Sequence, residues 1–146
     1  MSIIKKNSLK FLKINLFSIL IVFFVFSKIY LNASENRAIL SIGNQEAKVT
    51  IKVFSSLTCP HCANFHNKIF KKLKKEFIDN NKVKYEHHGF PLDLAALNAE
   101  KILGCVESKD KKIKLLNELY KSQDIWASGS DINSINDKLF KISNNF

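Results

Sequence analysis

Val49-Thr50-Ile51-Lys52-Val53-Phe54-Ser55-Ser56-Leu57-Thr58-Cys59-Pro60-His61-Cys62-Ala63-Asn64-Phe65-His66 is the stretch that decides the fold. Val49, Ile51 and Val53 alternate with polar residues, the period of a half-buried strand, and Phe54 lies on the other face. The strand is expected over Ala47 to Ser55. Past Cys59 the period lengthens: Phe65, Ile69, Leu73 and Phe77 recur every four residues, which predicts an amphipathic helix from about Cys59 to Asp79. Asn80-Asn81 closes that helix, and Val83 to Phe90 reads as the next strand, ended by Pro91. A strand, a helix and a strand at this spacing form a right-handed parallel βαβ crossover.

The flanks extend this unit. Arg37 to Ile42 reads as a short strand, followed by the turn signal Gly43-Asn44. Downstream, Leu92 to Cys105, Asp110 to Ser122 and Ile132 to Ile142 carry apolar residues at three- and four-residue spacing and read as helices. The sequence has no internal repeat and no low-complexity linker.

Cys59 and Cys62 stand two residues apart at the strand-to-helix junction, the arrangement that dithiol–disulfide exchange needs. A thiolate there is stabilised by the free N–H groups and the positive end of the helix dipole. Cys59 would be the exposed thiol that forms a mixed disulfide, and Cys62, one turn in and more buried, would resolve it. Pro60 lacks an N–H where none is needed and shapes the first turn. His61, with its imidazole near the Cys59 sulfur, would tune it toward thiolate.

Other uses of a CxxC pair fit less well. Covalent haem attachment needs a histidine directly after the second cysteine, and Ala63 stands there. Zinc would recruit Cys59, Cys62 and His66, with His87 or His88, but structural sites usually bring a second closely spaced ligand pair. A purely structural disulfide closes so small a ring that it would stabilise little. His66 reads as a polar surface residue of the helix. His87-His88 point to opposite faces of their strand in structural or peripheral roles, and Trp126 is expected to pack within the helices.

The chain has 146 residues and a formal net charge of +10. Lys5, Lys6, Lys10 and Lys13 precede the 13-residue run Ile14 to Phe26, apolar except for Asn15 and Ser18, and Asn32-Ala33-Ser34 follows. This is the pattern of a secretory signal over residues 1–33, the alternative being an uncleaved anchor in residues 14–31. Without residues 1–33 the chain loses five of its 23 basic residues and none of its 13 acidic ones, leaving +5. Much of that charge lies in Lys68 to Lys75, on the solvated faces of the predicted helix, with no interleaved aromatics to suit a nucleic acid. Three cysteines are too few for a disulfide-stapled scaffold.

The segment Phe54 to His66 resembles the active-site segment of the DsbA-like thiol–disulfide oxidoreductases of bacteria. Gly89-Phe90-Pro91-Leu92-Asp93, the Ala-rich helix ending at Cys105, and Tyr120…Gln123…Trp126 are similar to the same family. The resemblance covers roughly Ile39 to Phe146. It implies an α/β fold: a thioredoxin-like βαβ half followed by a helical insertion. The domain would span residues 34–146, with the βαβ unit and site in 34–91 and the helical block in 92–146.

It further implies an exported, monomeric oxidase of the periplasm with no cofactor and no metal. Reduced exported proteins would be its clients, a membrane-bound partner would reoxidise it, and nucleic acid would not be bound. A disulfide reductase or isomerase of the same fold and a non-catalytic metal-binding module are the alternatives. In some relatives a cysteine at the place of Cys105 pairs with a later one, and none follows here.

The family's pattern also includes a cis-proline loop facing the CxxC, two further strands and a final helix. Pro60 and Pro91 are the only prolines, and neither suits that loop. The expectation is therefore a C-terminally truncated chain in which these strands and helix are missing and the strand before Cys59 has an open edge.

Overall fold

The computed structural model describes residues 39–146. The signal-sequence reading of residues 1–33 and the first part of the strand expected over Arg37 to Ile42 lie outside them. β1 (Leu40–Ile42) runs antiparallel to β3 (Val83–Gly89), and β2 (Val49–Ser55) runs parallel to β3 on its other side. The sheet order is β1-β3-β2. Ile51 pairs with Tyr85 and Ser55 with Gly89, so β2 and β3 end together, next to the cysteines.

β3 is the buried strand, with Val83, Tyr85 and His87 turned into the core. β2 bonds to β3 alone among the described residues. Its alternating apolar set is only partly covered: Ile51 and Val53 pack on the core, whereas Val49 is exposed. The tight turn after β1 needs Gly43. Its φ is +97°, and a Cβ there would lie 2.7 Å from the Val83 carbonyl oxygen.

The crossover helix α1 covers residues 60–78. It alternates α-helical turns (Pro60–Asn64, Lys71–Leu73) with π-helical ones (Phe65–Phe70, Lys74–Ile78). Its buried side chains are Ala63, His66, Phe70 and Ile78, while Ile69 and Phe77 are exposed. The stripe Phe65, Ile69, Leu73 and Phe77 is thus not the buried one; the true stripe is offset by one residue. The π turns explain its straightness: they wind more slowly per residue than α turns, so residues at a four-residue spacing stay in line.

The helical block consists of α2 (Leu94–Cys105), α3 (Lys109–Lys121), α4 (Gln123–Trp126) and α5 (Ile132–Ser143). Asp93 caps α2 by accepting from the Ala96 N–H, and Asp131 caps α5 by accepting from Asn133 and Ser134. Leu115, Leu116, Leu119, Trp126 and Leu139 are wholly buried where these helices meet. The Trp126 indole N–H donates to the Leu119 carbonyl at 2.7 Å, so its one polar atom is satisfied there. α3 packs on the first turn of α1, on the π turn that follows and on β1, which joins the block to the βαβ unit through one core. No helix among the described residues is long and apolar enough to cross a membrane.

Candidate active site

β2 ends at Ser55, and the turn Ser56-Leu57-Thr58 delivers the chain to Cys59, the N-cap of α1. Leu57 is wholly buried and pins this turn to the core. Cys59 N–H donates to the Ser56 carbonyl at 3.2 Å. Pro60 occupies the first helical position, where its missing N–H costs no helical bond.

Two clamps from distant parts of the chain hold the turn. In the first, Thr58 Oγ1 donates to Asp93 Oδ2 at 2.6 Å, while Asp93 Oδ1 accepts from Ala96. Ser56 Oγ lies 3.0 Å from Thr58 Oγ1 and accepts from the Leu92 N–H at 3.4 Å. In the second, Gln123 Nε2 donates to the carbonyls of Leu57 at 2.7 Å and Cys59 at 3.1 Å. Both main-chain oxygens on either side of Thr58 are thus bonded to one buried amide of α4.

Cys59 and Cys62 are both half-buried free thiols, and their environments push them apart. The Cys59 thiol is held below the ordinary cysteine range, chiefly by the backbone N–H of Cys62. The Cys62 thiol and the His61 backbone N–H act the same way, against some burial. Burial pushes the Cys62 thiol up, offset in part by a backbone hydrogen bond from Ser56. Pro60 and His61 are exposed at the mouth of the site. His61 acts on the sulfur through its backbone amide.

Behind the cysteines lies a polar core that the sequence reading missed. His66 is 2% exposed, not a surface residue. Its ring stacks between Phe70 and Tyr120, with centroids 4.7 and 4.6 Å away, and Nε2 lies 2.7 Å from Asn117 Oδ1. Burial holds its pKa down, and Nδ1 has no hydrogen-bond partner. Since Asn117 Oδ1 accepts, the proton belongs on Nε2 and Nδ1 carries the free lone pair.

The Tyr120 hydroxyl donates to Ser55 Oγ at 3.0 Å, Ser55 Oγ lies 3.4 Å from His87 Nδ1, and His87 Nε2 lies 3.3 Å from Glu100 Oε1. His88, on the other face of β3, stacks on Phe54 and meets Glu86 at 3.1 Å. The opposed histidines therefore divide as the strand period dictates, and His87 is the buried one.

His66 is committed to Asn117 and to two aromatic rings, so it does not join the cysteines as a ligand set. The described residues contain no group of three or more metal-ligating side chains. Cys105 is exposed at the end of α2. Two of the clamp residues did carry a signal in the sequence. Asp93 stands before an Ala-rich helical run, an N-cap position, and Gln123 lies in the Tyr120…Gln123…Trp126 pattern that carries part of the family resemblance.

A family model described as thioredoxin matches residues 35–144. A putative protein-disulfide oxidoreductase of Rickettsia prowazekii is 34% identical over 101 residues, covering 69% of this chain and 36% of that protein. Disulfide bond formation protein D of Bacillus subtilis is 38% identical over 66 residues, covering 42% of this chain and 30% of that protein. Among solved structures, a point variant of Wolbachia pipientis α-DsbA1 superposes with a TM-score of 0.63 at 30% identity, covering 73% of this chain and 54% of that one. The chain spans a little over a third of the length of the first rickettsial relatives it matches. With a βαβ unit, a CxxC at its strand-to-helix junction and a matching model over most of its length, this chain belongs to the thioredoxin family, and the proteins it resembles are of the DsbA type.

Proposed function

We propose that this chain is an exported thiol–disulfide oxidoreductase that donates the Cys59–Cys62 disulfide to reduced exported proteins. The opposite displacement of the two thiols at the start of α1 carries the reading. One thiol is shifted toward the thiolate and the other away from it, which is how a nucleophile or leaving group is set apart from a resolving thiol.

In the oxidised chain a client thiolate attacks Cys59 Sγ. The Cys59–Cys62 bond breaks, its electron pair goes to Cys62 Sγ, and that sulfur takes a proton. A second client thiolate then attacks the client sulfur of the mixed disulfide. The client disulfide forms and Cys59 leaves as the thiolate. Two electrons pass from client to chain. Whatever stabilises the Cys59 thiolate stabilises the reduced chain and makes the disulfide a stronger oxidant.

The periplasm is the proposed compartment, on the basic and apolar pattern of residues 1–33. A membrane-bound oxidant is the proposed partner that restores the disulfide. A reductase or isomerase would use the same atoms in the reverse direction, and the redox equilibrium separates the two. Equilibration with glutathione should give a potential well above about −270 mV, the value typical of a reducing thioredoxin. A value at or below that figure overturns the donor reading. Cys62→Ser should trap a mixed disulfide when its Cys59 thiolate meets a client presented in the disulfide form, and Cys59→Ser should trap none.

A further inference from the structure

Burial pushes the resolving thiol up, and its proton has to leave before the sulfur can attack. Four side chains form a continuous line through the core between β2, β3, α2 and α3. The Tyr120 hydroxyl donates to Ser55 Oγ, Ser55 Oγ meets His87 Nδ1, and His87 Nε2 meets Glu100 Oε1, at 3.0, 3.4 and 3.3 Å. Tyr120, Ser55 and His87 are buried. Glu100 opens the line to solvent, for its side chain is 17% exposed against 3% for His87.

With Tyr120 donating to Ser55, every hydrogen in the line points the same way: Tyr120 to Ser55, Ser55 to His87 Nδ1, His87 Nε2–H to Glu100. That polarity carries a proton outward from the tyrosine to the carboxylate. The near end packs on the helix that carries the cysteine. Tyr120 rests on α1 through the stacked His66 ring and through its own carbonyl, which accepts from Asn67 at 3.0 Å. Burial pushes the hydroxyls of Tyr120 and Tyr85 up, and a charge on Cys62 would add to that push.

The backbone makes room for the far end. A Cβ on Gly89 would fall 2.6 Å from the Glu100 carboxyl carbon and 2.7 Å from Oε2, so only a glycine leaves that carboxylate beside His87. The ionisable groups that face the line are Cys62 and His66 from α1, Tyr85 and His87 from β3, Glu100 from α2 and Tyr120 from α3.

We propose that Tyr120, Ser55, His87 and Glu100 form the proton relay of Cys62. This inference rests on the thiol–disulfide function proposed above and assigns part of its chemistry. The hop from the Cys62 thiol to the Tyr120 hydroxyl is the step the proposal adds to the observed bonds.

When Cys59 holds a mixed disulfide, the Cys62 proton passes to Tyr120 as each hydrogen in the line shifts one place and Glu100 receives the last. The Cys62 thiolate attacks Cys59 Sγ, the Cys59–Cys62 bond forms, and the bound thiol leaves with its electron pair. In disulfide donation the same line runs inward and protonates the departing Cys62.

The test follows the reduced full chain mixed with glutathione disulfide and quenched with acid at intervals. Mass spectrometry counts the Cys59–glutathione adduct and the closed Cys59–Cys62 form. Glu100→Gln removes the terminal acceptor, and Gly89→Ala displaces it without touching a relay residue. Each should slow closure of the adduct about tenfold at pH 6. Each should match the parent chain near pH 9, where hydroxide takes the Cys62 proton directly. Iodoacetamide should alkylate Cys59 equally fast in all three proteins. Unchanged closure at pH 6, or equal slowing at both pH values, overturns the relay. A parent chain that forms the adduct but never closes it overturns the proposed function together with the relay.

Discussion

The βαβ half and the helical block bury their side chains very differently. In the helical block Leu115, Leu116, Leu119, Trp126 and Leu139 are sealed from water. The βαβ half has sealed side chains too, Leu57, Ile78 and Tyr85, but buried Ser55, His66 and His87 stand among them where a core would ordinarily hold apolar residues. Yet the redox pair sits on the half with the more polar core. Its turn is held from outside by Gln123 and Asp93, while Tyr120 and Asn117 bond to Ser55 before the turn and His66 after it. The block supplies rigidity, and the βαβ unit supplies a helix start with free amides. Chemistry that needs a strained or polar environment can be placed on a weak element when a strong one braces it.

The largest expected effect breaks the brace itself. Trp126→Ala should destabilise the chain by about 3–5 kcal/mol, because it empties a sealed core site and orphans the Leu119 carbonyl. Urea denaturation followed by circular dichroism measures it. A loss below 1 kcal/mol would mean that the block is not the rigid partner.

Gln123→Ala should cost about 1–3 kcal/mol, since two carbonyls of the active-site turn lose their buried donor. It should also change the alkylation rate of Cys59, which Trp126→Phe should not. Asp93→Ala strips the α2 cap and the Thr58 contact, at about 1 kcal/mol. Asp93→Asn should recover most of that loss, and failure to do so would show that the charge matters more than the bonds.

The smallest effect concerns acid. Burial depresses the His66 pKa, so the unfolded chain binds a proton below about pH 6.5 that the folded chain refuses. Stability should therefore fall as the pH drops from 7 to 5, with none of this loss above the unfolded value. His66→Phe keeps a flat ring between Phe70 and Tyr120 and should flatten that slope of melting temperature against pH. An unaltered slope would assign the acid sensitivity to other groups.

The sequence made the local parts of this picture legible. The β2–α1–β3 order, the place of Cys59-Pro60-His61-Cys62 and the three long helices follow from period, caps and breakers, because those signals act over a few residues. The buried face of α1 did not follow. The four-residue spacing suits two adjacent stripes, and only the π turns and the partner helix decide between them. His66 was hidden for the same reason. A histidine on a lysine-rich helix looks solvated until Asn117 and two rings arrive from elsewhere. Glu100 and Ser55 are ordinary polar residues in sequence and acquire their roles only through contacts between separate elements.

The Gln123 clamp has a consequence for the order of events during synthesis. Its bonds span 64 and 66 positions of the chain, so they form only after a long loop has closed. A nascent chain presents Cys59 and Cys62 well before the amide that fixes their turn has left the ribosome. Cys105 also emerges ahead of Gln123, so all three thiols are available for pairing before the brace exists. Maturation of the redox pair is thereby tied to completion of α4. A pause in translation or a cut before residue 123 would leave the cysteines present and their geometry unset.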